Sequence, residues 1–235
     1  MNSWPCLKQK VKINNSSCLK HYRTMNTVLF DLGNVFIRID PSNSIRIFEK
    51  LSGQSYAHLE QYFSSSSAFH RYERGEITNR EFYESSRQDL NLDISIGQFK
   101  ALWQNIFSLD HSMVAFLQII RIQYVCAILS NTNPWHMEYC ERHYPFLSLF
   151  EYHFYSHLLG TVKPEKRIFE IVLNRLKTLP ENICFIDDQL DNVEAAEKLG
   201  FQIIHYRNYE QLIEEWQNRY GKLPEKKDKD QMHGK

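Results

Sequence analysis

The segment Thr27-Val28-Leu29-Phe30-Asp31-Leu32-Gly33-Asn34 decides the architecture. Its β-branched and apolar start has strand length, and the polar turn that follows closes it in the way a buried strand is closed. Comparable runs recur at Tyr124–Leu129, Tyr152–Tyr155, Ile183–Ile186 and Phe201–His205, separated by segments with helical spacing. Strands alternating with helices predict a parallel α/β sheet. Pro164 is expected in the first turn of one helix and Gly200 as the left-handed stop of another over Leu190–Leu199. The last helix is expected over Tyr209–Tyr220.

About 90 residues separate the first two strands, far more than a βαβ crossover requires. The excess reads as helical. Thr78-Asn-Arg-Glu81 and Ser95-Ile-Gly-Gln98 fit capping boxes, and Phe99, Leu102, Trp103 and Ile106 follow at helical spacing. A helical cap is therefore expected at 42–109, inserted into an α/β core at 25–41 and 110–221. Ser112–Arg121, with Val114, Leu117 and Ile120 on one face, is the expected crossover helix. Phe82, Tyr83 and Trp103 are expected in the small core of the cap.

Residues 1–24 carry Lys8, Lys10, Lys12, Lys20 and Arg23 without an apolar centre, so they do not read as a secretory signal. A disordered extension, or a native start at Met25, is expected. Lys222–Lys235 is charged and nearly free of apolar residues, and reads as a disordered tail. The 28 basic and 28 acidic side chains cancel, which argues against nucleic acid or an anionic membrane as partner and for local capture of a small anion. No apolar run approaches the ~20 residues that span a bilayer. The five cysteines lack a CxxC pair, which argues against a disulfide framework or a zinc site and for the cytoplasm. Cys126 and Cys184 fall in strands and read as packing.

Open parallel sheets bind ligands at the carboxyl ends of their strands. Asp31 follows the first strand, Ser130-Asn131-Thr132 the second and Asp187-Asp188 the fourth, while Lys163 is expected to begin the helix after the third. An Asp after one strand is commonly a turn or cap residue; four polar positions in this order point to a site.

Phe30-Asp-Leu-Gly-Asn-Val35, Leu129-Ser-Asn-Thr132, Val162-Lys-Pro-Glu165 and Phe185-Ile-Asp-Asp-Gln189 resemble the four motifs of the haloacid dehalogenase superfamily. With Phe69-His-Arg-Tyr-Glu-Arg-Gly-Glu-Ile77, the chain is similar to the bacterial branch that dephosphorylates α-D-glucose 1-phosphate. The resemblance implies a Rossmann-like core with an inserted helical cap. It also implies a Mg²⁺-dependent phosphatase in which Asp31 attacks phosphorus, forming an aspartyl phosphate that water hydrolyses. Asp31, the Gly33 carbonyl and Asp188 would hold Mg²⁺, with Asp187 the less certain member of its pair. Lys163, Ser130 and the Asn131 amide would hold the phosphate of a small-molecule ester. Asp191 and Asn192 would support the loop or cap its helix.

Most phosphatases of this family carry a second Asp, as acid and base, where this chain has Gly33. Its loss favours good leaving groups such as an anomeric hydroxyl, hence a sugar phosphate such as glucose 1-phosphate. His70, Arg71, Tyr72, Glu73 and Arg74 read either as groups suited to a hydroxylated ring, with Arg71 the expected contact to the sugar, or as an exposed helix end. His136 and His143 read as surface residues. A 2-haloacid dehalogenase, a phosphotransferase and a catalytically impaired module that binds phosphate compounds remain alternatives.

Overall fold

The computed structural model describes residues 25–224; the segments expected as extension (1–24) and most of the tail (225–235) lie outside it. The chain begins with β1 (Thr27–Phe30) and β2 (Ile37–Ile39), then α1 (Ser42–Ser52), α2 (Tyr56–Ser65), α3 (Ser67–Glu73), α4 (Asn79–Asp89) and α5 (Ile96–Gln104). It continues through β3 (Phe107–Leu109), α6 (His111–Ile120), β4 (Val125–Ser130), α7 (Pro134–His143), β5 (Tyr152–Tyr155) and α8 (Ser156–Leu159). The last elements are α9 (Lys166–Leu176), β6 (Ile183–Asp187), α10 (Leu190–Lys198), β7 (Gln202–His205) and α11 (Tyr209–Tyr220).

The main sheet is parallel, in the order β5-β4-β1-β6-β7. β1 is central, with Phe30 in register with Ile128 on one side and Ile186 on the other. Helices cover both faces, which is why its residues are apolar without alternation. Val28 and Phe30 pack with Phe116, Leu117, Leu212 and Trp216 from α6 and α11. Leu29 points the opposite way, into Ile168, Phe169, Val193 and Ala196 of α9 and α10. Because β4 and β6 flank β1, the residues after these three strands emerge side by side.

Helices α1 to α5 gather around a separate cluster that includes Phe48, Leu59, Tyr72, Phe82, Phe99 and Trp103, and Trp135 of α7 enters it. Both expected capping boxes form: Thr78 with Glu81, and Ser95 with Gln98. Each such cap contributes about 1 kcal/mol. The ribbon made by β2 and β3 was not expected, because each strand is only three residues long and too short to show a period.

Two helix starts differ from expectation. α6 begins at His111, because the Asp110 side chain accepts from the Ser112 and Met113 amides. Pro164 is not in a first turn: α9 starts at Lys166, and α8 intervenes after β5. Lys163 therefore sits in a turn before the helix rather than at its start.

Candidate active site

Asp31 directly follows β1, and its amide still donates to the Ile186 carbonyl (2.8 Å), so the neighbouring strand orients its backbone. Lys163 Nζ donates to Asp31 Oδ1 and to Asp187 Oδ2, both at 2.7 Å. All three side chains are buried. The turn carrying Lys163 is held by Asn131, whose Oδ1 accepts from the Lys163 amide (2.8 Å) while its Nδ2 donates to the Lys163 carbonyl (2.9 Å). The side-chain amide of Asn131 is thus occupied. Ser130, the last residue of β4, lines the same cleft.

The adjacent aspartates do different things. Asp187 is fully buried and accepts from Lys163, the Gln189 amide (2.8 Å) and Asn192 Nδ2 (3.0 and 3.1 Å). Asp188 is partly exposed and accepts on Oδ2 from Asn34 Nδ2 (3.2 Å) and Gln189 Nε2 (2.7 Å). The two carboxylates leave the strand in different directions, and only Asp188 lines the cleft. Asn192 reaches into the site; Asp191 stays exposed on α10.

Oxygen atoms of Asp31, Asp187 and Asp188 lie within 4.8 Å of one another. Three carboxylates here face one ammonium. Burial pushes the Asp31 carboxyl up to about 7 even though Lys163 pulls the other way, and Asp187 and Asp188 raise it further. Burial alone would depress the Lys163 ammonium, but Asp31 and Asp187 hold it above its ordinary value. An all-oxygen donor set with excess negative charge fits a hard divalent cation such as Mg²⁺.

Arg71 is not part of this assembly. It lines a separate hollow with Ile77, Glu81 and Ser85, and pairs with Glu76 at 3.7 Å. Its neighbours do approach the site: burial pushes the Glu73 carboxyl up to about 7 against the pull of Lys163 and Arg74. Arg74 forms an ion pair with Glu165, which also accepts from Thr161 Oγ1 (2.6 Å). Gly75 packs on the His157 carbonyl so closely that a Cβ would lie 2.0 Å from its oxygen. His136 also departs from expectation: it is half-buried, lines the cleft, stacks on Trp103 and bonds to the Trp103 carbonyl and Asn133. Burial pushes its imidazole down to about 3, so it is neutral. His143 is exposed, as expected. Burial raises the thiols of Cys126, Cys140 and Cys184 to about 12, which makes them unreactive.

The Arg74 guanidinium and the Thr161 hydroxyl hold the Glu165 carboxyl at about 2. Because that is below the ordinary 4.5, the stabilisation from the ionised form is complete above about pH 4.5 and is lost as pH falls toward 2. The pair is substantially exposed, so its worth is ~1 kcal/mol or less. Glu165→Gln is expected to melt below the wild type at pH 7, with the gap closing as pH falls from 4.5 toward 2. A gap that is constant with pH would show that the pair does not hold α3 to the Lys163 turn.

Asn34, Ser156 and Gln189 were missed in the sequence. Asn34 and Gln189 adjoin residues already singled out; nothing local marks Ser156. Its hydroxyl accepts from the Thr132 amide (2.9 Å) and lies 2.7 Å from the Glu73 carbonyl, joining the second loop to α3.

Solved structures with a similar fold include the following two. A HAD family enzyme from Bacteroides thetaiotaomicron, crystallised in complex with magnesium and inorganic phosphate, superposes with a TM-score of 0.71 at 28% identity. The match covers 78% of this chain and 94% of that one. A predicted HAD-like family hydrolase from Porphyromonas gingivalis gives a TM-score of 0.72 at 25% identity, covering 82% and 97%. Among curated proteins, a sesquiterpene phosphatase of Aspergillus oryzae is 27% identical over 186 residues, which are 77% of this chain and 90% of that protein. A drimenol cyclase of Aspergillus calidoustus is 25% identical over 207 residues, or 86% of this chain, and the chain spans only 38% of its length. The family model for haloacid dehalogenase-like hydrolases matches residues 25–200, a span that contains β1 to β6 and every residue of the acidic cluster. On that match the chain belongs to the haloacid dehalogenase-like hydrolase family.

Proposed function

We propose that the protein hydrolyses phosphate monoesters by double displacement on Asp31. The observation that carries this reading is the buried Asp31–Lys163–Asp187 contact at the base of a cleft that Asp188 also lines. The Asp31 carboxylate attacks phosphorus; the P–O bond to the ester oxygen breaks, and the alcohol leaves with a proton from solvent. Water then attacks the aspartyl phosphate, releasing inorganic phosphate and restoring Asp31. Lys163 balances charge on the phosphoryl oxygens, and Asp187, with Asn192 and the Gln189 amide, keeps its ammonium in place. Ser130 and the Asn131 N–H donate to the phosphate. Asp31, the Gly33 carbonyl and Asp188 would hold Mg²⁺, which offsets the negative charge of nucleophile and phosphate when they meet. The supported role of Asp187 is to anchor Lys163.

Residues 42–109 form the cap over this cleft in our reading, supported by their own apolar cluster. Gly33 supplies no acid, so esters of acidic hydroxyls should be cleaved fastest; by reactivity alone, a sugar 1-phosphate and an aryl phosphate both meet that requirement. The phosphatase reading draws support from the sesquiterpene phosphatase, which is similar over most of its length. Buried free thiols at Cys126, Cys140 and Cys184 suit a reducing cytoplasm. Among the described residues, no helix is long and apolar enough to cross a membrane.

The test is phosphate release from a panel of esters that includes glucose 1-phosphate and glucose 6-phosphate. EDTA should abolish release and added Mg²⁺ restore it, with the 1-phosphate preferred over the 6-phosphate. Release that survives EDTA would overturn the metal-assisted mechanism, and chelator-insensitive turnover of a 2-haloacid without phosphate release from any ester would overturn the phosphatase reading.

A further inference from the structure

One wall of the cleft is hydrocarbon. Ile39 and Phe107 from the β2/β3 ribbon present their side chains there, with Ile37, Leu32, Met137 and Cys140 buried behind them. The ribbon is antiparallel, with Ile39 opposite Phe107. Residues two apart on a strand share a face, and so do direct cross-strand partners, which puts Ile37, Ile39 and Phe107 on one side and Arg38 on the other. Ile39 remains 40% exposed.

The wall begins at the chemical centre. A Cβ at Gly33 would lie 2.9 Å from Ile39 Cδ1, so hydrocarbon fills the space into which a side chain two residues after the nucleophile would project. Two polar side chains beside the ribbon are already engaged. Both ring nitrogens of His136 are bonded to protein atoms. Asn34 donates to Asp188 and accepts from the Ile39 amide (3.3 Å). Arg71, the expected contact to a sugar, lies elsewhere. A polyhydroxylated ring entering this cavity of about 200 Å³ would lose water and recover few hydrogen bonds, whereas an apolar body would gain from the same surface.

We propose that Ile39 and Phe107, backed by Ile37, bind the alcohol portion of the substrate, and that this portion is an apolar alkyl or aryl group rather than a sugar. The proposal rests on the phosphatase reading and specifies its leaving-group side.

The experiment uses n-alkyl phosphates of increasing length, whose alcohols ionise almost alike, so that leaving-group chemistry is constant along the series. Each buried methylene is worth about 0.8 kcal/mol, so kcat/KM should rise about two- to fourfold per carbon until the chain outgrows the cavity. The corresponding alkylphosphonates, which are not cleaved, should show the same trend in Kd by calorimetry. Ile39→Ser should flatten both trends, and because Ile39 is partly exposed this change tests the wall without emptying a core. Phe107→Ser should do the same, with circular dichroism to verify folding. Turnover without any dependence on length in kcat/KM and Kd overturns the apolar wall and leaves the phosphatase reading standing. Failure to bind any alkylphosphonate while phenyl phosphate or glucose 1-phosphate is still cleaved overturns the apolar wall alone; failure to cleave any phosphate ester overturns both.

Discussion

Asp31→Asn is expected to lower phosphate release by ~10⁴-fold or more, because the amide cannot form the acyl phosphate through which both displacements pass. The same change should leave the fold intact. Asn has nearly the shape of Asp, and at neutral pH it removes a carboxylate that burial, Asp187 and Asp188 all disfavour. Without added metal at pH 8, the variant should therefore melt no lower than the wild type. Lost turnover with retained stability separates a chemical role from a structural one. A variant that keeps measurable turnover, with a melting temperature equal to the wild type, would remove Asp31 from the reaction.

Lys163→Met is expected to have the largest effect on stability. Its ammonium is buried against Asp31 and Asp187, and its removal leaves two buried carboxylates without their cation, typically a loss of about 3–5 kcal/mol. The loss should depend on pH. A buried, unpartnered carboxyl has its folded-state pKa raised above the ordinary 3.8, so folding takes up protons. Stability is then retained below about pH 3.8 and lost as pH rises through the raised value. Urea unfolding at pH 5 and pH 8 should show the larger deficit at pH 8, and Mg²⁺ should recover part of it by binding the folded carboxylates. A deficit that is equal at the two pH values would mean that the carboxylates find another partner when Lys163 is absent. Phosphate release should also fall, by about 10²- to 10³-fold, as with removal of a donor aimed at developing charge.

The parallel sheet was legible because its strands are short apolar runs ending in polar turns, and the strand after Met25 is followed directly by Asp31. Ends of helices were legible where a side chain caps them, as at Thr78 and Ser95, and misplaced where a turn intervened, as at Pro164. The identity of Asp31, Lys163 and the Asp187-Asp188 pair came from local pattern. What Asp187 and Asp188 each do did not, because adjacent residues diverge and their partners lie on other elements.

Hydrophobic periodicity and turn chemistry are properties of neighbouring residues, and by themselves they determined the strand order in the chain, the inserted helical segment and the polar residues at the strand ends. Tertiary structure decided what those residues meet. It brought Lys163 between Asp31 and Asp187, removed Arg71 from the cleft, and placed Ile39, on a three-residue strand, against Gly33. Such contacts depend on the pairing of segments far apart in the chain, Ile39 with Phe107 and Asn131 with Lys163, for which no local spacing provides a signal.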